Sequence, residues 1–133
     1  MNTSLPTDSA ERKNYPLFRG LFGYFGAALG GVAHHSWKSN QKHNGDAPLH
    51  WSINQSTDHA DCIARHLLDL GDLEARLDRA RVNYTRNEPS ENPRELMDAI
   101  LDEANALAWR ALALSQTLQM KYRGAPLPFN AKE

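Results

Sequence analysis

From Tyr15 onward the apolar residues Leu17, Leu21, Phe25, Ala28, Leu29 and Val32 recur at steps of three and four, and Pro16 stands where a helix start tolerates it. This pattern predicts a first helix over 16–39. Its glycines, Gly20, Gly23, Gly26, Gly30 and Gly31, each cost about 1 kcal/mol of helix propensity relative to alanine, so the helix depends on close packing. Gly23 and Gly30 share one face, where a backbone of the same or another subunit can approach. The Asn, Gly and Pro content of "NQKHNGDAPLHWSINQ", residues 40–55, predicts a loop. A second helix follows, capped by Ser56 or Thr57 with Asp58 in its first turn, and with Ala60, Ile63, Ala64, Leu67 and Leu70 as the expected buried stripe. Gly71 and Asp72 end or bend it, and Leu73, Leu77 and Ala80 mark a short amphipathic continuation. After the exposed loop "TRNEPSENP", Pro93 starts a last helix in which Leu96, Ile100, Ala104, Leu107, Ala111, Leu114 and Leu118 keep helical spacing. No alternating run supports a strand of useful length. The predicted class is all-α: three main helices and a short one in a single domain over 15–121, between a disordered lead over 1–14 and an irregular tail over 122–133.

A chain of 133 residues with 41% apolar residues is the size of one domain. No apolar run approaches the roughly 18 residues of a membrane span, so a soluble protein without membrane contact is expected. The polar N-terminus reads as a disordered lead rather than a signal peptide. The single Cys62 rules out an internal disulfide and reads as a small buried residue. Net charge is -1, but its distribution is uneven. No carboxylate occurs between Glu11 and Asp46, whereas Arg12, Lys13, Arg19, Lys38, Lys42 and the histidines His34, His35 and His43 do. That segment suits anions better than metal cations, yet it lacks the clustered cations that duplex DNA demands.

The stretch "STDHADCIARHLLDLGD" concentrates the candidate chemistry. Asp58 and Asp61 lie three apart on one helix face, where two carboxylates can hold Mg²⁺ or Mn²⁺ against phosphate oxygens. The structural alternative is a first-turn pair serving the helix dipole, with Asp61 pairing with Arg65. His59 and His66, seven apart, lie roughly 10 Å from one another along a helix axis and cannot share one zinc ion. Trp37, His50 and Trp51 flank the first loop, where an aromatic plane can stack on a base while Lys38, Lys42 or His43 meets phosphates; packing of the two tryptophans is the alternative. Trp109, beside Ala108 on the last helix, reads as a packing residue.

The motifs "NQKHNGDAPLHW", "STDHADCIARHLLD" and "ALAWRALALSQ" resemble the phage-associated dATP/dGTP diphosphohydrolase N-terminal domain family, which is related to the all-α MazG-like nucleotide pyrophosphohydrolases. The likeness runs from about Tyr15 to Leu118, interrupted over 72–95. It implies a cytoplasmic protein of an infected host cell whose helical subunits form a homo-oligomer and bind a purine nucleotide. In MazG-like enzymes a Glu-x-x-Glu pair and a Glu-x-x-Asp pair hold Mg²⁺, which activates water for cleavage between the α and β phosphates. Asp58-x-x-Asp61 matches the second pair with one acid shortened. At the first pair this chain has His35-x-x-Lys38, and Asp102 or Glu103 on the last helix is left to supply a third acid. Two readings follow. One is a metal-dependent hydrolase with Asp58, Asp61 and Glu103 as ligands, Lys38 neutralising phosphate charge, and His35 orienting water. The other is a sequestering protein in which His34, His35 and Lys38 hold a nucleotide or defence signal between subunits without turnover.

Overall fold

The computed structural model describes residues 3–133. Its elements are α1 (Ser9–Arg12), a π-helical turn (Phe18–Phe22) running into α2 (Gly23–Asn44), β1 (Trp51–Ser52), α3 (His59–Thr85), α4 (Pro93–Arg123) and β2 (Ala131–Lys132). No helix is long and apolar enough to cross a membrane among these residues. The mostly helical class agrees with the sequence reading. Within the lead, Asp8 caps the single turn of α1 by accepting from the Glu11 amide at 3.0 Å.

Central to the packing is α4. Asn92 caps it by accepting from the Arg94 amide at 2.9 Å, and Pro93 occupies the first turn, where its missing N–H costs no helical bond. Gly124, left-handed at φ 67°, ends it, and the Ala125 amide closes back onto the Gln119 carbonyl. Both α2 and α3 pack on α4 rather than on each other.

Gly71 and Asp72 do not break α3, which continues to Thr85. Leu73, Leu77 and Ala80 carry the buried line forward against Leu96 and Ile100 of α4. Burying leucines of this kind is worth about 1.5–3 kcal/mol each, which outweighs the roughly 1 kcal/mol cost of one mid-helix glycine. The phase of the buried face also differs from the expected stripe. Ala60, Ala64 and Leu67 are exposed, while His59 and Cys62 are buried and His66 half-buried. On α4 the inward line runs through Leu96, Glu103, Ala106, Arg110 and Ala113.

The first helix is likewise altered. It enters through the π turn, kinks at Phe25 (φ −122°, ψ 32°) and continues to Asn44 rather than stopping at residue 39. At Gly31 an added Cβ would collide with the Asn105 side-chain amide of α4, at Gly23 it would meet the Phe18 carbonyl oxygen of the preceding turn at 3.3 Å, and Gly30 faces open space. The tail is not wholly irregular. It returns to the first loop, where β1 and β2 pair in parallel, Trp51 opposite Ala131 and Ser52 opposite Lys132.

Candidate functional site

Steps of seven residues on α3 meet steps of seven on α4 in reverse, because the two helices run antiparallel. Leu73 packs against the cluster containing Leu96. One layer along, His66 meets Glu103 through Nδ1 and Oε1. In the next layer His59 meets Arg110, Nδ1 to Nη1, at 3.1 Å. The seam is therefore apolar at one end and polar at the other. His59 and His66 occupy successive layers, each with its own partner from α4.

In the outer layer, His59 is 2% exposed and lies against Trp51 and Trp109, with ring centroids 6.4 and 6.5 Å away. The tryptophans meet edge to face at 5.7 Å. Burial lowers the His59 pKa below 6.5, the Arg110 charge adds to this, and Asp58 opposes it. Because Arg110 donates to Nδ1, the neutral ring carries its proton on Nε2, which is buried without a partner. Arg110 also donates to Ser56 Oγ at 2.9 Å and lies 5.6 Å from the Trp109 ring centroid. Among the described residues it has no carboxylate partner.

Asp58 is the N-cap position of α3, but its side chain caps no backbone amide. Its Oδ2 accepts from Arg65 at 2.9 Å, and its Oδ1 accepts from Ser56 Oγ at 3.1 Å and Cys62 Sγ at 3.6 Å. Arg65 first, then Ser56, pull its pKa down to about 2. Arg65 thus pairs with Asp58 and not with Asp61, which is exposed and makes no side-chain hydrogen bond among the described residues. A carboxylate whose charge is met by a guanidinium and whose two oxygens are both engaged is a poor ligand for Mg²⁺. The expected set of Asp58, Asp61 and Glu103 is not brought together. Glu103 lies instead with His66 and Asp69, one ligand atom from each falling within 4.8 Å of the others.

From α2, Lys38 Nζ reaches Asp102 Oδ1 at 3.0 Å. His35 is drawn below its usual pKa by burial first, then by the charge of Lys38, with His66 and Arg110 adding and Asp102 opposing. His35 thus lies within electrostatic reach of charged groups on both α3 and α4. His34 stacks on Trp37 at 5.5 Å and 15°, and both are exposed. Lys42 and His43 make no side-chain hydrogen bond or ion pair among the described residues, and His50 turns to the Pro48 carbonyl at 3.0 Å. Of the expected residues, His35, Lys38 and Glu103 therefore surround the inner polar layer, Trp51 the outer one, and His34 with Trp37 a separate exposed face.

Arg110 escaped the sequence reading; Ser56 entered it only as a helix cap and Asp69 only as part of the polar stretch 56–72. The legible signal was the heptad line itself: Leu96, Glu103 and Arg110 are seven apart, as are His59, His66, Leu73 and Ala80. Searches against protein-family models, curated proteins and solved structures return no match for the chain.

Proposed function

We propose that the polar end of the α3–α4 seam binds a purine nucleoside triphosphate and, with a divalent ion, hydrolyses it to the monophosphate and pyrophosphate. The observation that carries the reading is Arg110. A half-buried guanidinium held, among the described residues, only by Ser56, His59 and an aromatic ring retains an unmet positive charge, and a phosphate meets it with charge-assisted hydrogen bonds. Lys38 adds a second cation after exchanging Asp102 for phosphate. The exposed His34–Trp37 stack offers an aromatic plane for the base. In the reaction, water attacks the α phosphorus, the bond to the bridging oxygen breaks, and the β and γ phosphates leave as pyrophosphate. His35, held neutral by burial and neighbouring charge, accepts the proton of the attacking water.

Sequestration without turnover is the second reading. It is favoured by the engagement of Asp58 with Arg65 and by His35 and Lys38 at the positions of the first acid pair. In both readings the working unit is a homo-oligomer. Ala60, Ala64, Leu67 and Leu68 leave an apolar face of α3 open, next to a groove of about 430 Å³ lined by Ile63, Leu114, Leu118 and Tyr122. A second copy suits this surface. The segment from Arg12 to Gly45 is basic, with aromatic Phe18, Phe22 and Tyr24 exposed, and the outer side of α3 carries Asp69, Asp72, Glu74 and Asp78.

The test incubates the protein with a nucleotide panel and Mg²⁺ or Mn²⁺, denatures it, and separates the extract by ion exchange. Monophosphate and pyrophosphate from one purine triphosphate support hydrolysis; depletion of free nucleotide with intact recovery supports sequestration. Losing a charge-assisted contact costs about 1.5–3 kcal/mol, so Arg110→Gln is expected to weaken nucleotide binding roughly ten- to a hundredfold. Unchanged binding in that variant excludes this site.

A further inference from the structure

We infer that His66, Asp69 and Glu103 form a binding site for a divalent first-row transition ion, of the Mn²⁺ to Zn²⁺ class, in the inner polar layer between α3 and α4. His66 and Asp69 stand one turn apart on α3, and Glu103 faces them from α4, so two rigid helices fix all three donors. One donor atom from each lies within 4.8 Å of the others, so small side-chain rotations bring them onto one ion at the ~2.0–2.2 Å ligand distances such metals adopt. His66 and Glu103 are mostly shielded, with side chains 28% and 20% exposed, whereas Asp69 lies on the open side. That arrangement holds an ion at the seam and leaves coordination positions for water or phosphate oxygens.

The surroundings supply a second, independent reason. Two carboxylates approach one another here, and among the described residues no lysine or arginine pairs with either; the nearby Lys38 is committed to Asp102. One heptad step along the same seam, the equivalent positions are Leu73 and Leu96. A polar layer in a seam that is apolar one heptad away is more than packing requires, and metal sites in helix bundles are built from side chains on facing helices in this way. The donor set selects the ion class. One imidazole nitrogen with two carboxylates suits Mn²⁺, Fe²⁺, Co²⁺ or Zn²⁺, whereas Mg²⁺ favours an all-oxygen octahedral shell.

This site stands independently of the nucleotide reading, and its test uses the metal alone. The full chain is titrated with Co²⁺, without nucleotide, by calorimetry and by the visible absorption that reports a change in the ion's coordination. Saturable binding of one ion per chain is expected, at least tenfold tighter than for Mg²⁺ and competed by Zn²⁺. His66→Ala and Asp69→Asn are each expected to weaken it at least tenfold with helicity unchanged by circular dichroism, whereas Asp58→Asn binds as wild type. Should His66→Ala unfold, Asp69→Asn on the open side carries the test. No saturable binding at millimolar Co²⁺, binding that survives both substitutions, or loss confined to Asp58→Asn would each overturn the site.

Discussion

His59 is neutral in the fold because burial and Arg110 disfavour its charged form. The unfolded chain takes up a proton near the ordinary value of 6.5 that the folded chain refuses. Stability therefore rises with pH through this window and is lost as pH falls below 6.5 toward the folded value. His35 shifts in the same direction and adds to the slope. The urea midpoint is expected to fall between about pH 7.5 and 5.5, and less steeply in His59→Gln; a wild-type midpoint flat across that range contradicts the assignment. Asp58 acts in a separate window. Its contribution with Arg65 is present above 3.8 and disappears as pH falls to about 2. At this scale the residue types were legible and their partners were not. Asp61 and Arg65 have the better sequence spacing for a helical pair, yet Arg65 reaches back to Asp58, which precedes the first turn.

Glycine positions give the sharpest contrast between elements. Gly31 lets α2 approach α4, and a methyl group there meets the Asn105 amide. Gly31→Ala is expected to destabilise the chain by about 1–2 kcal/mol through overpacking, with the smaller cost if Asn105 swings aside. Gly71 lies mid-helix with nothing within 4 Å of an added Cβ, so Gly71→Ala is expected to stabilise by up to about 1 kcal/mol. Denaturant unfolding of both variants checks the opposite signs, and equal shifts would contradict the packing described. The helices themselves were legible from apolar periodicity, and the start of α4 from Pro93. The rotation of α4 was legible through Leu96 and Ile100; that of α3 was legible only in part, because an apolar stripe marks the core only where the seam is apolar. At His59, His66, Glu103 and Arg110 the inward positions are polar, and of the expected stripe on α3 Ala60, Ala64 and Leu67 face outward while Ile63 and Leu70 are half-buried.

For the molecule as a whole, few residues are buried while Phe18, Phe22, Tyr24, Leu67 and Leu68 are all at least half exposed. That surface motivates assembly into a homo-oligomer, for which light scattering at micromolar concentration is expected to give a mass of at least two chains. Leu68→Glu is expected to shift that mass toward one chain; a folded wild-type monomer contradicts the assembly. Two helices that lean on a common third one, without touching each other, behave like two jaws on a single bar. His35 and Lys38 ride on one jaw, His66 and Asp69 on the other, and Glu103 and Arg110 on the bar. A ligand that touches all three must tie the jaws together, so it supplies the cross-brace that α2 and α3 lack. Hydrogen exchange along α2 is then expected to slow on nucleotide binding by more than exchange in the Leu77–Leu96 core. Equal protection everywhere would mean that the ligand touches only one jaw.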